Sequence, residues 1–252
     1  MNFFIYFVLT VGAFLFAIFV IVLIAKRKLN QTIGTKNLNE IVNVMKNIKE
    51  LELEEYSRPK NVSGMTKVLE PSIIRDFPDF NKELLFRKIE KNLNNIFEAV
   101  EKKSIAKISS DKELILMLDS VKDYIEDIKT RKVDVSYLGV KFHEHAIKAY
   151  EKKEGVATIT TSSTVEYFYT NSATNNAYKD VKKQTRYTCK FVYVFDESKL
   201  KENVSVITIR CPNCGAPLKG MEKIKCSYCG SDIEPVNLKA WKMASYEEDY
   251  VE

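Results

Sequence analysis

"GVATITTSSTVEYFYTN", residues 155–171, decides the fold class. β-Branched and aromatic side chains fill it, and Ala157, Ile159, Val165, Tyr167 and Tyr169 share one side of a two-residue period. "RYTCKFVYVFDE" (186–197) repeats the pattern with Tyr187, Cys189, Phe191, Tyr193 and Phe195. The intervening "NSATNNAYKD" (171–180) has the composition of a hairpin loop. Upstream, "VDVSYLGVKFHEHAIKAY" (133–150) alternates around Leu138, Val140 and Phe142. Long antiparallel strands follow from these three stretches.

Before them the period is helical. In "DFPDFNKELLFRKIEKNLNNIFEAVEKK" (76–103), Asn81 is placed as an N-cap, with Phe80 and Leu85 set for a hydrophobic staple. Leu85, Ile89, Leu93, Ile96 and Val100 form the apolar face. Ser110 and Glu113 read as a capping box for a second helix. Its buried stripe would be Leu114, Met117, Leu118, Val121, Ile125 and Ile128. Helices followed by antiparallel strands predict an α+β fold, helices packed on one face of a curved sheet. The other sheet face would be free to form a pocket.

"FFIYFVLTVGAFLFAIFVIVLIA" (3–25) carries no charge. As a helix it would be roughly 34 Å long, enough for a hydrocarbon core of about 30 Å. A cleaved signal peptide is the rival reading, opposed by the missing basic n-region and the absent A-x-A site before Lys26. Lys26, Arg27 and Lys28 follow at once, so the positive-inside rule puts the C-terminal bulk in the cytoplasm. The expectation is a single-pass cell-membrane protein contacting the bilayer through its N-terminal helix. Residues 26–64 read as a juxtamembrane helix and linker. Leu38, Ile41, Val42, Met45, Ile48 and Leu51 make a helical stripe, and "SRPKNVSG" (57–64) breaks it. Packing on the domain or on a second copy suits the stripe better than a membrane surface, which the glutamates between positions 50 and 55 would resist.

The chain has 252 residues, a net charge of +5 spread along its length, 8 glycines and 6 prolines. Charged residues at 29% and hydrophobic ones at 45% are an ordinary globular balance. With no basic block and no RNA-binding aromatic motif, nucleic acid is not expected as a partner. No internal repeat is visible.

Cys211, Cys214, Cys226 and Cys229 read Cys-x2-Cys-x11-Cys-x2-Cys, and Gly215 and Gly230 close the two turns. Two residues between thiolates let a tight turn aim both sulfurs at one ion. Two such knuckles supply the tetrahedron that zinc favours in closed structural sites. An iron–sulfur cluster or disulfides are alternatives, the latter disfavoured in cytoplasm. About 20 residues cannot bury a core, so the metal would supply their folding energy. "VSVITIR" (204–210) before the knuckles and "KAWKMAS" (239–245) after them are strand-like. The ribbon, residues 208–234, is therefore expected to interrupt a hairpin before the last strand, with Trp241 returning the chain to the sheet. A ribbon merely appended is the alternative.

This order of elements, with "DFPDFN", "CPNCGAPL", "CSYCG" and Trp241, resembles bacterial membrane-anchored proteins whose domain is similar to the C-terminal domain of the mitochondrial inner-membrane translocase subunit 44. The resemblance covers Pro71 to Glu248 and implies a cone-like α+β fold related to nuclear transport factor 2, with a large apolar pocket. It does not carry over protein import, because nothing here matches the relative's chaperone-binding part. The expected organisation is an anchor at 1–25, the helix and linker at 26–64, and the α+β domain at 65–252 containing the ribbon.

Other candidate sites are sparse. His143 and His145 of "HEH" would point to one face of a strand, without an obvious third metal ligand. Cys189 sits in an apolar pattern and reads as a small buried side chain. Tyr167, Tyr169, Tyr187 and Tyr193 read as core or as the lining of a pocket. No phosphate loop, nucleophile elbow or paired-carboxylate motif occurs. No catalytic residue is assigned. The expected function is a membrane-tethered, cytoplasmic-facing binding or scaffold protein that holds an apolar ligand, a peptide or a protein. The rivals are an enzyme of the nuclear transport factor 2-like class and an adaptor that uses the ribbon. Buried, convergent Asp, His or Tyr groups would favour the enzyme.

Overall fold

The computed structural model describes residues 18–23, 35–174, 178–196, 216, 225–226, 228–231 and 239–249. The chain divides into two compact units, Met1–Glu55 and Tyr56–Glu252. In the first, residues 18–23 are helical, and helix α1 (Thr35–Ser57) begins after them. Of its apolar stripe, Ile41, Val42, Met45, Ile48 and Leu51 are exposed, Met45 at 66% and Leu51 at 63%.

The transmembrane part of the expected fold needs correction. Among the described residues no helix is long and apolar enough to cross a membrane. The helical residues 18–23 span only about 9 Å, and the rest of 3–25 lies outside the described residues.

In the second unit the α+β content is as the periodicities require. Helices α2 (Thr66–Asp76), α3 (Lys82–Glu101), α4 (Ala106–Ser110) and α5 (Leu118–Thr130) precede four strands. These are β1 (Val135–Lys153), β2 (Val156–Asn171), β3 (Lys182–Val194) and β4 (Lys242–Glu248), antiparallel in the order β1-β2-β3-β4. Asn81 caps α3 as its sequence position demands, its Oδ1 accepting from the Leu84 N–H at 2.7 Å. Leu85, Ile89, Leu93, Ile96 and Val100 are all buried. They meet Ile159, Val165, Cys189 and Phe191 of the sheet in one core.

The capping box at Ser110 does not form. The Ser110 hydroxyl donates back to the Lys107 carbonyl, and a 3-10 turn (Ile115–Met117) precedes α5, which starts only at Leu118. Asp111 takes the local role, accepting from the Glu113 N–H at 2.9 Å. Glu113 itself reaches Lys88 and Lys242, at 2.9 and 3.0 Å.

β1 departs furthest from simple alternation. Leu138 faces Phe168 and Lys141 faces Glu166, so two β1 residues oppose one on β2. Gly139 lies in that bulge with φ +67, a conformation glycine takes without steric cost. A second bulge follows between Phe142 (opposite Val165) and His145 (opposite Ser163), where the Glu144 N–H donates to Thr164 Oγ1 at 3.1 Å. A third lies between Ile147 and Ala149. Each bulge shifts the inward phase by one residue. Hence Leu138 is 57% exposed while Tyr137, Val140 and Phe142 pack on the core.

The "SRPKNVSG" stretch is no free linker. The Asn61 carbonyl accepts from Arg186 Nη1 at 3.2 Å, and the Ser63 N–H donates to Ser162 Oγ at 3.2 Å. Arg186 and Ser162 lie next to Tyr187 and Ser163 in their strands, so they project from the sheet face opposite the helices. The chain then turns over the outer edge of β1. There the Met65 N–H donates to the Ile147 carbonyl at 2.8 Å, and the Ile147 N–H donates to Thr66 Oγ1 at 2.8 Å. The sheet face expected to hold a pocket is thus crossed by a strap.

β4 returns the chain to the sheet by pairing with β3, Phe191 opposite Met243 and Tyr187 opposite Glu248. Trp241, just before it, packs on Phe77, Tyr193 and Phe80 with ring centroids 5.3, 5.5 and 6.1 Å away. Its expected neighbour "VSVITIR" lies outside the described residues.

Candidate functional site

Tyrosines converge where α3 and α5 cover the sheet. Tyr137, at the start of β1, stacks on Phe97 of α3 with centroids 4.5 Å apart and planes 11° from parallel. Tyr167 and Tyr169 of β2 lie 5.3 Å from Tyr137. Tyr187 of β3 sits 5.6 Å from Phe97, and Tyr246 of β4 lies 6.4 Å from Tyr187. The register puts these rings on one face. Tyr137 opposes Tyr169, and the β2 and β3 tyrosines occupy odd positions of strands paired through Ser163 and Tyr187.

The Tyr167 and Tyr187 hydroxyls are buried and hydrogen-bonded to each other at 3.0 Å. Asn171 Nδ2 donates to the Tyr169 oxygen at 3.2 Å. The Lys183 ammonium lies 5.3 Å from the Tyr169 ring centroid and 5.9 Å from that of Tyr167. Glu248 accepts from Lys183 at 2.5 Å and from the Thr185 hydroxyl at 2.7 Å. The Tyr56 and Tyr178 rings pack nearby, centroids 4.9 Å apart and planes tilted by 32°.

Every phenol in the cluster for which a shift is resolved is held protonated. Burial, and then the adjacent Tyr124, pushes both Tyr169 and Tyr246 up to about 12. Burial, with Glu248 next in effect, takes Tyr56 up to about 12. Tyr137, Tyr167 and Tyr187 are raised further, again mainly by burial. After burial, Tyr124, Tyr169, Tyr167 and Tyr246 raise Tyr137, in that order of effect. Such phenols serve as neutral hydrogen-bond donors rather than as bases at pH 7.

The structure unites Tyr167, Tyr169 and Tyr187 of the tyrosines singled out in the sequence but separates Tyr193. That residue lies against Phe77 and Trp241. Tyr137, Tyr124 and Tyr246 join the cluster instead. Only the Gly139 bulge brings Tyr137 inward, and "LGV" in a strand pattern was the available signal for it.

His143 and His145 do not share a face, because the Phe142–His145 bulge turns one of them over. His143 Nε2 lies 3.2 Å from Glu166, on the strap side of the sheet. His145 lies on the helix side, between Ser163 Oγ (2.8 Å from Nδ1) and Glu90 Oε1 (3.0 Å from Nε2), with Phe86 stacked on it at 5.1 Å. This Ser–His–Glu relay resembles a nucleophile's supports, but Ser163 is fully buried and no substrate can reach it. It anchors α3 to the sheet. Cys189 is buried, and its thiol is raised by burial, with Asp249 a lesser cause, as its apolar position implied.

The metal-binding assignment is corrected as far as the described residues go. Among the described residues no group of three or more His, Cys, Asp or Glu could hold a metal ion. Cys211 and Cys214 lie outside the described residues, and two thiols alone do not close a tetrahedral site. Around the other two, the Gly230 N–H donates to the Cys226 carbonyl at 2.9 Å, and Gly230 takes φ +72. The Tyr228 N–H lies 3.4 Å from Cys226 Sγ, and Cys229 Sγ lies 2.9 Å from Ser231 Oγ. The turn therefore aims an amide at sulfur, as a thiolate ligand requires.

Comparison with protein-family models finds no match, and comparison with curated proteins finds none.

Proposed function

We propose that the chain is a non-enzymatic binding or scaffold protein whose tyrosine cluster holds an apolar or peptide-like ligand. The observation that supports this is the convergence of tyrosine rings from all four strands on one another and on Phe97 of α3. An enzyme acting on a small apolar substrate is the second reading, favoured by the paired Tyr167 and Tyr187 hydroxyls. Against it, the phenols ionise far from neutrality, and Glu248 is already engaged by Lys183 and Thr185. Titrating the full chain with small aromatic probes while following tyrosine ring resonances tests the binding reading. Saturable shifts at Tyr137 and Tyr169 are expected. Rings that stay unmoved across naphthalene, 2-acetylnaphthalene and 2-naphthoate would overturn it.

A structural zinc belongs to the same proposal, held by Cys211, Cys214, Cys226 and Cys229. The turn at Cys226–Gly230 supports it, with its N–H directed at sulfur. Bound there, zinc would supply folding energy to a segment too short for a core of its own. Elemental analysis should find one zinc per chain, lost in Cys226→Ser; iron instead, or no metal, would refute it. Kinship with the translocase subunit 44-like domain is proposed on the order of elements: two principal helices, long antiparallel strands, and a final strand after Trp241.

A further inference from the structure

Ile41, Val44, Met45, Ile48 and Leu51 of α1 are all exposed. On a helical wheel they fill an arc of about 120°, one continuous stripe over nearly three turns. A helix in a protein draws most of its stability from packing such a face, and an apolar patch left open marks an interaction surface. The 23-residue helix α1 therefore calls for something to cover its stripe.

The spacing points to a second copy of the same helix. Ile41, Val44, Ile48 and Leu51 follow steps of three, four and three, the a and d positions of a heptad. Isoleucine stands at both a positions and leucine at the second d, the combination that favours two strands. Lys46, Lys49 and Glu50 fall at f, b and c and point away from the seam. Glu40, Asn47 and Glu54 fall at g, and Met45 and Glu52 at e. In a parallel pair each g residue lies beside an e residue of the other copy, so Glu40 meets Met45 and Asn47 meets Glu52. No like charges touch. In an antiparallel pair g lies beside g, which brings Glu40 against Glu54. An anionic lipid surface is a poorer cover, because Glu50, Glu52, Glu54 and Glu55 crowd the C-terminal half of the helix.

We propose that α1 is a self-association helix, paired in parallel with α1 of a second copy through Ile41, Val44, Ile48 and Leu51. Two heptads make a short seam, so the pairing is weak and depends on concentration. It doubles whatever site the rest of the chain presents, which raises avidity for a bivalent partner. The pairing does not depend on what the tyrosine cluster binds.

Sedimentation of the full chain over a concentration series tests the proposal, and a monomer–dimer equilibrium is expected. Ile48→Lys puts a charge into the seam and should weaken the dimer by about 100-fold or more. Lys46→Ala, at an outward position, should leave it unchanged. Ile48 is exposed in the single chain, so Ile48→Lys should also keep the parent's melting temperature at low concentration, which separates lost pairing from lost folding. In a parallel pair the two Leu51 side chains face each other, so Leu51→Cys should add an oxidative cross-link between copies that the parent chain lacks. A parent that stays monomeric to about 100 µM would overturn the pairing, as would a dimer untouched by Ile48→Lys. A dimer that is sensitive to Ile48→Lys but gains no cross-link from Leu51→Cys would overturn the parallel orientation. A monomer that sediments with phosphatidylglycerol vesicles, and no longer does so as Ile48→Lys, would give the stripe to a lipid surface instead.

Discussion

A Cβ placed on Gly64 would meet the Ile147 carbonyl oxygen at 2.6 Å and the Ala146 Cβ at 2.7 Å. The strap turns over the β1 edge at that point, held by the Met65–Ile147 hydrogen bond. Gly64→Ala must therefore push the strap off β1 or bend the strand, at a cost of about 2 kcal/mol. Urea unfolding of the full chain measures this, and an unchanged midpoint would show that the strap does not cross there.

Glu113 holds two ammonium groups, and one of them, Lys242, is only 5% exposed. Removing the carboxylate leaves a charge buried at the start of β4. Glu113→Ala should cost about 3 kcal/mol, while the double change with Lys242→Met should recover a good part of it. Thermal melting of both variants decides the matter; equal losses would deny the pair any coupling.

Glu166 accepts from Gln184 and Lys182 and faces His143, and these partners lower it from 4.5 to about 2, in that order of effect. Its folded value lies below its unfolded one. The stability it contributes is therefore fully present above about pH 4.5 and is lost as pH falls towards about 2. Glu166→Gln should flatten the acid limb of the stability profile in that window. A profile with the same slope as the parent would assign acid sensitivity to other carboxylates.

Lys132 ends α5 with φ +54, the left-handed position that glycine fills in most such helix ends. The Val133 N–H reaches the Ile128 carbonyl at 2.9 Å and the Lys132 N–H reaches Lys129 at 3.1 Å, completing the motif. Lys132 is exposed, so Lys132→Gly loses little packing and relieves about 1 kcal/mol of backbone strain. A higher melting temperature is expected, and a lower one would mean that the lysine side chain contributes more than its conformation costs.

Local chemistry was legible wherever neighbours in sequence are neighbours in space. The Asn81 cap, the α3 stripe from Leu85 to Val100 and the inward positions of β2 and β3 need only a period and a capping residue. The tyrosine cluster was half legible. Tyr167, Tyr169 and Tyr187 follow strand alternation, whereas Tyr124 and Tyr246 reach it from elements far away in the chain. The "SRPKNVSG" stretch has a loop's composition, and composition alone does not show that Ser162, Arg186 and Ile147 will receive its backbone.

The α+β class, the antiparallel strands and the burial of Cys189 came from the sequence alone, because a two-residue or 3.6-residue period commits a side chain to one face whatever lies opposite. Tertiary structure alone decided the phase of β1. Three bulges along one strand reverse which residues point inward, and they set Tyr137 against Phe97 and part His143 from His145. A bulge is a property of two paired strands. Its extra residue exists only relative to a partner, and no single stretch of sequence contains that partner.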